Sequence, residues 1–218
     1  MSHNVEAVYA RRFAGEQECR MQLWAVLIKH FFQHLVAETQ TILDLGAGYC
    51  EFINQVRAGR KYALDLNPAT RLHAGSDVQV ISQDVTQRWP LESESLDVIF
   101  SSNFLEHLPS KDDLQFCLRE SHRVLRCGGR LLLLGPNIRF CPDIYWDFFD
   151  HYLPLSDRSL SEALELTGFT PTLVIPRFLP FTTKSRIPSH ASLVRLYLAV
   201  PFAWKLLGKQ FFIEAQKG

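Results

Sequence analysis

Apolar and polar residues follow two rhythms along this chain, and the alternation between them predicts its elements. Short apolar runs recur as "TILDL" (Thr41–Leu45), "KYALDLNP" (Lys61–Pro68), "DVQVISQDV" (Asp77–Val85), "SLDVIFSS" opening Ser95–Leu108, "RLLLLGPN" (Arg130–Asn137), "TPTLVIPRF" and "KQFFIEAQKG". Near-continuous apolar runs bounded by glycine, proline or aspartate read as strands of a parallel sheet covered on both faces. Between them lie segments at helical spacing: Glu18–Val36, "YCEFINQVRAG" closed by Gly59, Lys111–Gly129 with a glycine stop, and "SDRSLSEALELTGF" from a Ser or Asp cap to Gly168. Strands alternating with helices predict an α/β fold.

Past Asn137 the rhythm loosens. "RFCPDIYWDFFDHYLPLS" is aromatic and irregular and reads as a loop, whereas Ser189–Gly208 is a strongly apolar helical segment broken by Pro201. The chain reads as one domain over 1–218: a helical region over 1–38, a ligand-binding core over 39–175, a helical cap over 176–209 and a last strand over 210–218.

Composition narrows the partners. Lys plus Arg and Asp plus Glu number 23 each, so the formal net charge is zero and no basic field marks nucleic acid as the partner. The five cysteines never occur as CxxC, so no zinc pattern or disulfide framework emerges and no metal is expected. The first residues lack the apolar core of a signal peptide, and a cytoplasmic location is the expectation.

The candidate chemistry begins at "ILDLGAGYC", Ile42–Cys50. In the dinucleotide pattern G-x-G-x-x-G, counting from Gly46 and Gly48 puts the third glycine at Glu51, where a carboxylate would face a pyrophosphate. The loop therefore expects a ligand other than a dinucleotide. Asp44 before the turn suits a cation such as the amino group or sulfonium of S-adenosylmethionine, while Gly46, Ala47 and Gly48 allow close backbone approach. Asp65, ending the next strand beside Leu66, can accept from both ribose hydroxyls. Asp84 can accept from the adenine amino group with Val85 packed on the ring, or serve as a helix cap.

Taken in order, "LDLGAGYCEF", "ALDLNP", "SQDV", "LDVIFSSNFLEHL" and "HRVLRCGGRLLLLGPN" resemble the class I S-adenosylmethionine-dependent methyltransferases, from about Thr41 to about Phe169. Cys50 stands where that family often carries a further glycine. The resemblance implies a Rossmann-like seven-stranded sheet whose last strand runs antiparallel between strands five and six. It also implies S-adenosyl-L-methionine as cofactor, and places Ser101 to Asn103 beside its methionine end.

The expected activity is methyl transfer to a small-molecule, glycan or lipid-linked acceptor, on oxygen. Asn103, His107, His151 and Tyr152 are the expected acceptor-placing residues, with either histidine a candidate base and Asp150 a neighbour that could raise the basicity of His151. Glu106 reads as a charge at a helix start. Tyr9, Arg11 and Arg12 could reach the cofactor carboxylate. His190–Leu207 reads either as a packed or dimer-forming cap, or as a helix on a lipid surface with Trp204 and Lys205 at the interface. Two rival functions remain: an NAD(P)-dependent oxidoreductase and a noncatalytic, membrane-associated cofactor-binding module.

Overall fold

The structure, a computed structural model, describes residues 17–181 and 191–218. Its strands are β1 (Thr41–Leu45), β2 (Arg60–Asp65), β3 (Val78–Ser82), β4 (Leu96–Ser102), β5 (Leu125–Pro136), β6 (Phe169–Ile175) and β7 (Gln210–Lys217). The helices are α1 (Gln17–His30), α2 (Thr70–His73), α3 (Lys111–Val124), α4 (Pro142–Tyr145), α5 (Asp157–Leu166), α6 (Ala191–Ala199) and α7 (Pro201–Leu207).

The seven strands form one sheet in the order β3-β2-β1-β4-β5-β7-β6. β1 to β5 pair in parallel, whereas β7 lies antiparallel between β5 and β6, as expected from the sequence. Leu43, Leu64, Ile99, Leu131, Leu133 and Ile213 point to one buried layer; Ile42, Ala63, Val98, Leu132, Leu134 and Phe212 point to the other. That two-sided burial is why the central strands β1, β4 and β5 lack an exposed polar face.

Serine caps set two helices. Ser110 accepts from the Asp113 amide at the start of α3, and Ser156 with Ser159 forms a capping box at α5.

The segment after β1 departs from the helix predicted over Tyr49–Gly59. It folds as consecutive turns, because Cys50 sits at φ 63°, outside the right-handed helical region, and i→i+3 bonds alternate with i→i+4 bonds. Gly59 does not cap a helix either; a β-carbon there would lie 2.8 Å from the Thr39 carbonyl oxygen, so its role is close chain approach. β5 starts at Leu125, earlier than the predicted Arg130, with Gly128 at φ 74° absorbing the irregular lead-in. The loop expected after Asn137 contains α4, anchored by the buried Tyr145, whose hydroxyl donates to the Leu153 carbonyl and accepts from the Leu155 amide.

On one face, α1, β6, β7 and α7 meet in an aromatic cluster. The Phe31 ring lies 4.5 Å from Phe178 and 5.2 Å from Phe212, and Phe178 lies 5.1 Å from Trp204. Trp204 also donates its indole N–H to the Tyr197 carbonyl at 2.9 Å. Of the two readings of this segment, Trp204 follows the packed one: its ring is held inward by two aromatic neighbours, Phe31 and Phe178, and one hydrogen bond, so it is not the residue that meets a lipid surface.

Candidate active site

The parallel pairing brings the carboxyl ends of β1, β2 and β4 side by side, which is where open α/β sheets receive ligands. The turn after β1 has Gly46 at φ 73° and Gly48 at φ 53°, conformations that glycine adopts without steric cost. At Gly46 a second constraint applies: a β-carbon there would fall 2.3 Å from the Phe104 ring.

Asp65 ties this turn to β2. Its carboxylate accepts the Gly48 amide at 2.7 Å and the Asn67 amide at 2.7 Å. Thr70 donates its hydroxyl to the Gly48 carbonyl at 2.8 Å, and Ser101 donates to the Leu45 carbonyl at 2.9 Å. Strand ends β1, β2 and β4 are thus locked by side chains that the linear motif alone shows only as short polar residues.

Three acids converge here. Asp44, Glu51 and Asp65 are 3%, 5% and 8% exposed. Burial holds the Asp44 carboxyl well above the usual carboxylate range; the nearby charges of Glu51 and Asp65 push it further, against an amide hydrogen bond from Ile53. Burial also raises Asp65, opposed by the amides of Asn67, Gly48 and Leu66. Among the described residues, the cation ion-paired with this group is Arg20, at 2.8 Å from Glu51. Among the described residues the site thus sets three buried carboxyls against one ion-paired cation, an arrangement suited to a cationic ligand.

Buried polar atoms point the same way. Past the end of β2, Asn67 is 1% exposed and its Nδ2 has no hydrogen-bond partner; past β4, the Asn103 Oδ1 is likewise buried and unmatched. Asn103 holds φ 49° and donates Nδ2 to the Ser102 hydroxyl at 2.9 Å. A donor left over past β2 and an acceptor past β4, the two strands that flank β1, fit a polar nucleoside and amino-acid ligand.

Asp84 stands apart. Its carboxylate accepts the Thr86 amide and hydroxyl at 2.9 and 2.8 Å, a local turn, and it is not among the charges acting on Asp44 or Asp65. Val85 is buried with Leu43, Leu64 and Trp89, and accepts the Trp89 indole N–H at 3.0 Å. Leu66 is part-exposed at the surface beside Asp65, and Ala47 is buried in the opposite layer.

A second cluster follows β4. The turn Leu105–His107 is stitched to the later loop, since the amides of Tyr152 and Leu153 both donate to the Glu106 carbonyl, at 2.9 and 3.1 Å. His107 places Nδ1 2.8 Å from the Asp150 carbonyl and 3.3 Å from its carboxylate. The His151 ring lies 4.9 Å from His107 and stacks on Phe148 at 4.7 Å. Asp150 thus orients His107 rather than its chain neighbour. Glu106 is 2% exposed, a buried member of the cluster and not the surface charge expected. Glu106, His107 and His151 bring potential ligand atoms within 4.8 Å of one another, room for an acceptor hydroxyl or a cation between them.

Tyr152, Trp146 and Phe149 are 53%, 55% and 89% exposed on the same loop. Tyr9, Arg11 and Arg12 lie outside the described residues. Reasoning from the sequence missed Arg20, Asn67, Thr70 and Phe104; only Phe104, directly after "SSN", had a visible signal in its position at a strand end.

A hollow also lies at the opposite sheet edge, lined by Gly59–Tyr62, Asp77 and Gln79. Its Lys61–Asp77 pair, at 2.7 Å, is satisfied, and none of the strand-end groups reaches it.

Comparison with known proteins agrees with this geometry. Residues 43–133 match the methyltransferase domain family. A curated relative, the malonyl-[acyl-carrier protein] O-methyltransferase of Dechloromonas aromatica, is 31% identical over 128 residues, covering 56% of this chain and 47% of that protein. The chain thus spans about half the length of the curated relative it matches. Among solved structures, the complex between the Haloferax volcanii Trm112 methyltransferase activator and its methyltransferase superposes with TM-score 0.70 at 17% identity, covering 99% of this chain and 96% of that one. A SAM-dependent methyltransferase from Archaeoglobus fulgidus gives 0.67 at 17% identity, covering 94% and 99%. At such identities the superpositions establish the fold.

Proposed function

We propose, from the match of residues 43–133 to the methyltransferase domain family, that the chain is an S-adenosylmethionine-dependent methyltransferase acting on an acceptor hydroxyl. The observation that carries the cofactor reading is the pair of buried carboxyls, Asp44 and Asp65, at a glycine turn with an excess of negative charge. Asp44 would hold the ammonium. Asp65 retains lone pairs for the ribose hydroxyls while it accepts from Gly48 and Asn67. Asn67 Nδ2 and Asn103 Oδ1 would gain partners. Leu66, Asp84 and Val85 are the adenine side of this proposal, and Ser101 keeps the β1 and β4 ends in register.

The bound cofactor supplies an electrophilic methyl on a positively charged sulfur. Displacement there needs mainly alignment, since the leaving group departs neutral. Asn103 and the His107–His151 pair therefore serve first to place the acceptor oxygen in line. His107, oriented through Nδ1 by Asp150, leaves Nε2 as the atom to take the acceptor proton. Tyr152, with Trp146 and Phe149, presents exposed ring faces of the kind that stack on a sugar, which favours a glycan or lipid-linked glycan acceptor within the small-molecule class.

An oxidoreductase would require a pyrophosphate near the first turn after β1, where Glu51 is buried and held by Arg20. Calorimetric titration decides between the two: S-adenosylmethionine binding without NADH binding supports the proposal, and the reverse ends it. Screening glycan acceptors with a tritiated methyl donor then tests turnover. Cofactor binding with no transfer to any acceptor would leave a noncatalytic binding module as the better description.

A further inference from the structure

The outward half of the α6–α7 helical pair is dominated by large apolar side chains. On α6, Leu193, Leu196 and Val200 just beyond its end are 49%, 61% and 41% exposed and fall on one side at helical spacing. On α7, Phe202, Leu206 and Leu207 are 68%, 62% and 60% exposed. The inward side is spoken for: Leu198 is buried, while Val194, Tyr197 and Trp204 pack on the core layer beneath. The outer side chains therefore contribute little to the core, and covering them would be favourable.

Charge identifies what covers them. From Thr167 to Ile213 the sequence contains six Lys or Arg and no Asp or Glu, in a chain whose formal net charge is zero. Two of the cations, Arg195 and Lys205, are exposed on the helices themselves. A second copy of the chain would set these cations against their own like charges across a two-fold contact. Exposed aliphatic and aromatic side chains flanked by cations, with no anion in that stretch, instead match an anionic lipid surface. No helix among the described residues is long and apolar enough to cross a membrane, so the fit is to a face that lies on the bilayer.

The pair is held rigidly enough to act as a face. Arg177 donates to the carbonyls of Leu206 and Gly208 at 2.7 and 2.8 Å, clamping the end of α7. A β-carbon at Gly208 would strike the Arg177 backbone at 2.6 Å, so the two segments touch. The same connection leads inward: Lys209 and Gln210 donate to the Leu179 carbonyl, and the Phe181 ring lies 5.5 Å from Phe148, beneath His151.

We propose that α6 and α7 form a docking face for anionic phospholipid bilayers, with Leu193, Leu196, Phe202, Leu206 and Leu207 entering the interface and Arg195 and Lys205 meeting the headgroups. The assignment does not depend on methyl transfer, because none of these residues touches the cofactor or acceptor clusters. It does add a route by which a lipid-linked acceptor would be presented to the loop carrying His151.

The test is flotation of the full chain with vesicles of phosphatidylcholine alone and of phosphatidylcholine mixed with phosphatidylglycerol. Binding to the mixed vesicles only, weakened by added salt, is expected. Leu196→Glu combined with Phe202→Glu should leave the protein unbound, with an unchanged circular dichroism spectrum because both positions are exposed. Arg195→Gln with Lys205→Gln should weaken binding to the mixed vesicles about 30-fold, near fivefold per cation at a charged surface. Failure to bind either vesicle, or binding that survives the double glutamate variant, overturns the proposal. So does a dimer in light scattering that the same variant splits, since a second copy would then be the occupant.

Discussion

The Gly48 amide donates to the Asp65 carboxylate at 2.7 Å, joining the turn after β1 to the end of β2. One residue thereby serves both the scaffold and the proposed ribose contact. Asp65→Asn should keep the shape while losing one charged acceptor, weakening S-adenosylmethionine binding by about 1–3 kcal/mol in calorimetry. Asp65→Ala should also lower the thermal midpoint without cofactor, because the Gly48 and Asn67 amides lose their partner. An alanine variant with unaltered affinity would show that Asp65 does not touch the ribose.

Asp44 predicts a pH dependence. Its folded pKa is raised by burial and by Glu51 and Asp65, so the empty protein binds a proton there more readily than the unfolded chain does. That contribution favours folding at acid pH and is lost as pH rises from the unfolded carboxylate value through the raised folded one. A bound ammonium reverses the preference. Cofactor affinity should therefore fall as pH drops below the raised Asp44 pKa, with proton release on binding, measurable by calorimetry in buffers of different ionisation enthalpy.

Asp44→Asn separates stability from function. Removing the buried charge should raise the thermal midpoint of the empty protein at neutral pH, while cofactor binding weakens roughly tenfold or more. A variant that binds the cofactor as tightly as the wild type would remove the ammonium contact from the scheme.

Gly46→Ala should abolish cofactor binding and destabilise the chain by about 1–3 kcal/mol, since φ 73° and the Phe104 ring both oppose a β-carbon. Pairing it with Phe104→Ala relieves the clash but not the backbone strain. Partial recovery of the thermal midpoint in the double variant is the expected result.

In the second cluster, Asp150→Asn keeps the carbonyl bond to His107 Nδ1 and removes the carboxylate. If His107 takes the acceptor proton, kcat should drop about tenfold with little change in the cofactor Kd. A change in KM alone would assign the pair to placement of the acceptor.

The central strands β1, β4 and β5 were legible from the chain because each carries a near-continuous apolar run, buried on both faces, that leaves no alternative pattern to confuse it. The antiparallel last strand followed from the family resemblance, not from periodicity. The predicted helix after β1 was misread for a local reason: Cys50 takes a left-handed conformation that its residue type does not announce. Trp204 was left between a packed and a lipid-facing reading because a helical segment apolar on every side does not say which side packs; Phe31 and Phe178, far away in sequence, decide that.

By itself, the order of apolar runs, glycines and strand-end acids determined the sheet and the candidate ligand edge, because those features depend on local chemistry and short spacing. Only the tertiary structure decided how the charges associate: Arg20 with Glu51, Asp150 with His107, and Glu106 buried beneath the loop. Such pairings join residues tens of positions apart, and their energy depends on burial, which no linear pattern contains.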